Sequence, residues 1–286
     1  MNGIVIVDKP QGITSHDVVS RCRRIFKTRR VGHSGTLDPL ATGVLPIFIG
    51  RATRACEFAL SDEKKYIATF RLGITTDTQD ITGNVISEKE STVSPDEVFS
   101  VCRSFLGKSE QIPPMFSAIK VDGVPLYKLA RRGEEVERKS REIEIFDISP
   151  RHIGENDYEI EVFCSKGTYI RTLVHDIGEK LGTGACMTSL RRTKSGIFEI
   201  SDARSLEEIE SSPSVTPLDF MFSEYDAVKI DGKGERKCRN GAAVPSDAEE
   251  GRLYRVYSAQ SGEFLMLARG GANGELLTVK SFFEVN

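Results

Sequence analysis

YEIEVFCSKGTYIRTLVHDIGEKLG, residues 158–182, changes its hydrophobic period once. Tyr158, Ile160, Val162 and Cys164 recur at every second position, the pattern of a strand with one buried face. Past Gly167 the apolar residues fall at Ile170, Leu173, Val174, Ile177 and Leu181, which is one face of an α-helix. Thr168 is the expected N-cap and Gly182 the stop. Outward from this unit, EKKYIATFRLG (63–73), NVISEKE (84–90) and ACMTSLRRTKSGIFEI (185–200) add extended segments. The strand at 63–73 and the one at 84–90 are expected to form a hairpin around the polar connection TTDTQDITG. GIVIV near the N-terminus is a further strand. Helices are expected from Ser15, as cap, to about Lys27, from Arg51 to Leu60, from Pro95 to Leu106 and over SLEEIES (205–211). Helices and adjacent strands without regular βαβ alternation give an α+β class. Past a linker with Pro213 and Pro217, the turn signals DGKG, RNG, QSG and GGANG separate short apolar runs and predict a small all-β unit. The expected division is therefore 1–225 and 226–286.

Composition narrows the function. With 39% hydrophobic and 28% charged residues over 286 positions, the chain has ordinary globular values. The N-terminal apolar run is four residues long and closes on Asp8, Lys9 and Pro10, so it is a strand and not a signal peptide. No stretch approaches the ~18 apolar residues of a spanning helix, and a cytoplasmic location is expected. The six cysteines stand singly, without CxxC pairs or histidines at ligand spacing; neither disulfides nor a metal site is expected.

A net charge of -3 argues against a nucleic-acid partner until its distribution is considered. Between Val18 and Cys56 stand Arg21, Arg23, Arg24, Lys27, Arg29, Arg30, Arg51 and Arg54 against Asp38 alone, which is 8 - 1 = +7 and leaves -10 for the rest. Such a segment on an acidic chain marks a local polyanion site; a solvated basic helix face is the alternative.

Asp38 lies inside that segment, in VGHSGTLDPLATGVLP (31–46), where Gly and Pro punctuate the chain and periodicity fails from Thr28 to Pro46. Long irregular segments inside compact domains are usually functional. LDPL by itself describes an Asx turn; the surrounding cations instead predict an ionised carboxylate of depressed pKa, fit to act as nucleophile or base. His33 is either a turn or core histidine or a residue pressed on nucleic acid. Asp77 and Asp80 lack the order of a calcium loop and are either a carboxylate pair or polar turn residues. Tyr66 follows two lysines in a strand. Arg171 sits in the first turn of a helix, where the dipole disfavours a cation, and so calls for a carboxylate partner. No P-loop or dinucleotide fingerprint is present.

Six ordered blocks, DKPQGITSHDVV, VGHSGTLDPLATGVLP, KKYIATFRLGITTDTQDITG, QIPPMFSAIKVDGVPLYKLAR, CSKGTYIRTLVHDIGEKLGTGA and SLRRTKSG, are spread over nearly the whole first 200 residues. Through them the chain resembles the TruB-type tRNA pseudouridine-55 synthases. The resemblance implies a catalytic domain on a mixed, mainly antiparallel sheet flanked by helices, a mobile RNA-clamping segment at about 120–141, and a C-terminal PUA-like RNA-binding domain. It implies that Asp38 is the catalytic aspartate, that Tyr66 stacks on the target uracil, that Arg171 pairs with Asp38, and that Asp80 orients Arg171. Leu190 would line the uracil pocket and His33 would wedge into the RNA stem. Arg21, Arg24, Lys27, Arg29 and Arg30 would hold phosphates. The implied reaction moves the uracil from an N1 to a C5 link with the ribose, consumes nothing, and needs no cofactor or metal. The implied partner is the tRNA T-stem-loop, with a further tRNA-folding role allowed, no required protein partner, and a monomeric state. Rival expectations are a guide-RNA-dependent dyskerin-like synthase, a non-catalytic RNA-folding module, and a uracil-releasing N-glycosidase.

Overall fold

A computed structural model describes residues 1–59, 63–121 and 123–284. Leu60, at the end of an expected helix, and Asp122, within the expected clamping segment at about 120–141, lie outside the described residues.

Among the described residues the main sheet has nine strands. Its hydrogen-bonded order runs Gly3–Lys9, Thr42–Ile49, Ala185–Ser195, Lys64–Leu72, Asp157–Cys164, Arg141–His152 and Gly107–Gln111, with Val31–His33 paired to Thr42–Ile49 and Phe198–Glu199 to Ala185–Ser195. The described pairings are antiparallel except at one junction, where Arg191 and Arg192 run parallel to Thr42 and Gly43. The fold is α+β with a mainly antiparallel sheet.

Alternation along Lys64–Leu72 turns Tyr66, Ala68, Phe70 and Leu72 to one buried face. On that face the Ser15–Ile25 helix contributes Val18, Val19 and Cys22, and the Ile170–Leu181 helix contributes Leu173, Val174 and Ile177. Each such side chain contributes about 1.5–3 kcal/mol by leaving water. Gly178 lets the second helix lie against the sheet, because a Cβ there would stand 2.2 Å from the nitrogen of Ala185.

Several local expectations are corrected. The segment from 28 to 46 is not one loop: Val31–His33 and Thr42–Ile49 are strands, and 28–30 and 34–41 are irregular. Periodicity fails there because Thr42–Ile49 is buried on both faces after its first residue. Val85–Glu88 pairs with Ile74–Thr76 and not with Lys64–Leu72, whose neighbours are Asp157–Cys164 and Ala185–Ser195. Thr14, not Ser15, caps the first long helix, in a capping box with Asp17. Tyr169, not Thr168, is the N-cap of the helix that ends at Gly182 in the left-handed region, φ 76°.

The C-terminal part holds a five-stranded sheet over a core that includes Ile230, Val256, Met266 and Leu276. It is not all-β, since Asp231 in DGKG caps a helix over Gly232–Arg239. A second apolar cluster joins Leu267 and Phe282 of this part to Ile4 and Phe48 on the back of the main sheet and to Phe222. Arg51 pairs with Glu263 across the same seam, and Arg54 donates to the carbonyl oxygens of Ser281 and Phe283.

Candidate active site

Asp38 lies in the irregular segment 34–41, whose ends are fixed by flanking strands. Its turn is closed by main chain, Ala41 N–H donating to the Asp38 carbonyl at 3.0 Å. The side chain is thereby released from the Asx role and meets Arg171, Nη2 to Oδ2, at 2.9 Å. Ser15 holds the loop from below: its buried hydroxyl donates to Leu37 O at 3.0 Å and accepts from Leu37 N–H at 2.9 Å.

Arg171 is 5% exposed, and a buried guanidinium needs its protons engaged. Nη1 donates to Thr78 O at 2.9 Å and Nη2 to Phe116 O at 2.7 Å. Asp80 Oδ2 lies 3.5 Å from Nη1, while its Oδ1 accepts from the Thr78 hydroxyl and from Thr82 N–H. Gln79, held at φ 64°, makes the turn between Thr78 and Asp80. Backbone strain of this kind collects where a site demands it.

A cleft of about 270 Å³ opens beside this network, lined by Asp38, Tyr66, Leu190, Arg171, Arg192 and Tyr169 among others. Asp38 remains 40% exposed there. Its carboxyl is raised above the ordinary value: burial dominates, Arg171 opposes it, and Asp80 adds to it. The depressed pKa expected from the sequence is thus corrected, because withdrawal from water outweighs the cation. Burial also raises the Tyr66 phenol, against the pull of Arg192.

The TruB family pseudouridylate synthase N-terminal domain matches residues 23–170, and the tRNA pseudouridylate synthase B C-terminal domain matches 171–216. The chain is 47% identical over 280 residues to tRNA pseudouridine synthase B of Syntrophotalea carbinolica, covering 95% of this chain and 90% of that one. It is 43% identical to tRNA pseudouridine synthase B of Geotalea uraniireducens, over 98% and 96% of the two chains. The chain belongs to the TruB family of pseudouridylate synthases. It isomerises uridine to pseudouridine in tRNA. A solved chain from a Cbf5-Nop10-Gar1 complex is similar in structure, with TM-score 0.72 at 26% identity, over 99% of this chain and 85% of that one.

Of the residues singled out from sequence, this TruB-family fold brings Asp38, Tyr66, Arg171 and Leu190 to one cleft, with Asp80 behind Arg171. His33 ends a strand outside the cleft lining, its Nδ1 buried without a hydrogen-bond partner. Burial lowers its pKa, aided by Arg192. Asp77 and Asp80 are no catalytic pair, since Asp77 accepts from the main chain and side chain of Asn84. The basic segment is divided. Arg24, Lys27, Arg29 and Arg30 are exposed, whereas Arg21 pairs with Glu207 and Glu210, and Arg51 and Arg54 serve the C-terminal seam.

Among the cations in or near the site that were not anticipated are Arg192, in the cleft lining, and Lys9, outside it. Arg192, 1% exposed, donates to Val44 O at 2.8 Å and Gly35 O at 3.0 Å, tying the Asp38 loop to the strand beside Tyr66. Lys9, fully buried, donates to Pro10 O and Ile13 O, and burial lowers its pKa to about 8 although Asp38 opposes the fall. The signal for Arg192 was present in SLRRTKSG, where alternation turns it to the buried face. Among the described residues no helix is long and apolar enough to cross a membrane, and no cluster of three or more metal-ligating side chains is found.

Proposed function

We propose that the uridine isomerised is that of position 55 in the tRNA T-loop, that it is flipped into the cleft between Asp38, Tyr66 and Leu190, and that Asp38 drives the exchange. The observation that carries this is the partly exposed, Arg171-bound carboxylate of Asp38 in a cleft shared with an aromatic ring. The C1′–N1 bond breaks, the uracil turns, C5 bonds to C1′, the C5 proton leaves and N1 gains one. Such chemistry needs an anionic oxygen near the ribose and a base out of its stack. Extraction costs a few kcal/mol, and stacking on Tyr66, worth about 1–3 kcal/mol, offsets it. Asp80 would keep Arg171 aimed, His33 would enter the stem where the uridine leaves, and Arg24, Lys27, Arg29 and Arg30 would hold phosphates with salt-dependent affinity. Arg21 would join them only by leaving Glu207 and Glu210. The segment at about 120–141 would close on the RNA, and residues 226–286 would act as a PUA-like grip. The same proposal has the chain acting as a monomer in the cytoplasm, with no cofactor or protein partner, and allows it to assist tRNA folding.

Incubation with unmodified tRNA and no additive, followed by mapping of pseudouridine, tests this. Product at position 55 is expected. Product elsewhere rejects the T-loop assignment, a requirement for guide RNA favours the dyskerin-like alternative, and free uracil favours the N-glycosidase.

A further inference from the structure

Gln111 is 3% exposed at the end of the Gly107–Gln111 strand, and its side chain reaches away from that strand to another part of the chain. Oε1 accepts from Tyr169 N–H at 2.8 Å and Nε2 donates to Tyr169 O at 3.1 Å. One amide thus satisfies both main-chain groups of a single residue, as a neighbouring strand would. That residue is the N-cap of the helix carrying Arg171, and no side chain of its own caps the helix. Tyr169 also lines the cleft. Immediately beyond Gln111 the chain runs to Phe116, whose carbonyl accepts from Arg171 at 2.7 Å. Gln111 therefore stands at the root of both elements that aim the guanidinium.

We propose that Gln111 is a positioning residue for the Asp38–Arg171 ion pair, acting by clamping the main chain of Tyr169. It touches no reacting atom; its effect passes through the helix start and the 112–116 segment to Arg171. The proposal rests on the isomerase activity of the family, and wild-type product formation is the control that separates failure of that activity from failure of the clamp.

Gln111→Glu tests it. In that variant an ionised carboxylate offers only acceptors and opposes Tyr169 O, whereas the protonated carboxyl has the donor and acceptor that the glutamine amide has. Asp38, Tyr169 and Arg141, the last paired with Gln111 across the strands, are present in both enzymes. A ratio of variant to wild-type rates therefore isolates position 111. Single-turnover rate constants with enzyme in saturating excess report folded molecules alone. Gln111→Ala is expected to lower this constant about tenfold to a hundredfold, the scale of a small misplacement in a reacting geometry, with RNA Kd changed less than about twofold. For Gln111→Glu the ratio to wild type is expected to rise about tenfold as pH falls through the carboxyl's titration. A wild-type constant for Gln111→Ala overturns the proposal. Should that variant fail to fold, a Gln111→Glu ratio that stays flat with pH overturns it.

Discussion

Two of the regions where arginine meets carboxylate, the seam with the C-terminal part and the cleft, differ in completeness. At the seam with the C-terminal part, Glu263 engages both oxygens, Oε1 with Arg51 at 2.9 Å and Oε2 with Arg239 at 2.7 Å. In the cleft, Asp38 gives Oδ2 to Arg171, and no side-chain hydrogen bond reaches its Oδ1 among the described residues. The cations differ in the opposite sense. Both terminal nitrogens of Arg171 are engaged, by Thr78 O, Phe116 O and two carboxylates, at 5% exposure, while Arg51 and Arg239 remain partly open to solvent at 21% and 34%. The seam is a structural bridge with its acid fully used. The cleft immobilises its base and leaves its acid incomplete, which is what reaction at that acid requires.

The sharpest break of this contrast is Asp38→Asn. Turnover is expected to fall by about 10⁴-fold or more, the scale seen when an enzyme loses its reacting side chain, while RNA binding measured by filter retention stays within a few fold. Wild-type turnover would move the reaction elsewhere. Next comes Arg171→Met, expected to lower the single-turnover rate about 10²-fold or more by removing the fixed charge. It also shifts the pH profile. The Asp38 carboxyl is already raised, so activity that needs its ionised form falls away on the acid side above the ordinary carboxylate range. Without Arg171 the cause that lowers this pKa is gone, and the acid limb should move to higher pH; an unmoved limb would exclude Asp38 as the titrating group.

Ser15→Ala is smaller. It leaves Leu37 N–H and C=O without their partner in a buried place, a loss of about 1–3 kcal/mol in denaturant-measured stability. A drop in single-turnover rate of about tenfold is expected beside it. Glu263→Gln should be smallest, with unchanged isomerisation and a stability loss below about 1 kcal/mol, since the side chain is about 30% exposed. A marked loss of activity from Glu263→Gln would mean that the seam and cleft are coupled.

Much of this was legible from residues alone. The alternation of Tyr158 to Cys164 and the stripe from Ile170 to Leu181 gave a strand and helix within a residue of those observed. Thr42–Ile49 was not legible, because a strand buried on both faces has no alternation to detect. The cap positions slipped by one because Ser15 and Thr168 have capping chemistry but other duties, Ser15 at Leu37 and Thr168 at Ser165 O. Asp38 and Arg171 were legible as a pair through family resemblance. The sign of the Asp38 shift was not, since charge can be counted along a chain but desolvation depends on what folds over it. Arg51 and Arg54 show the same limit: counted with the basic segment, they are spent on the C-terminal seam.

The parallel junction of Arg191 and Arg192 with Thr42 and Gly43 joins parts of the chain that are made at different times. Asp38 and Arg171 are 171 - 38 = 133 positions apart, so at ribosomal speeds of about 5–20 residues per second Asp38 is made on the order of ten seconds before its partner. Two antiparallel portions of the sheet can form as they emerge, whereas the strand pairing that unites them closes a loop of 191 - 42 = 149 positions. Gly43 makes that closure possible, because any Cβ there would lie 2.2 Å from Arg192 O. Until the two portions meet, the Asp38 loop lacks the hydrogen bonds from Arg192 to Val44 O and Gly35 O that tie it to the strand beside Tyr66.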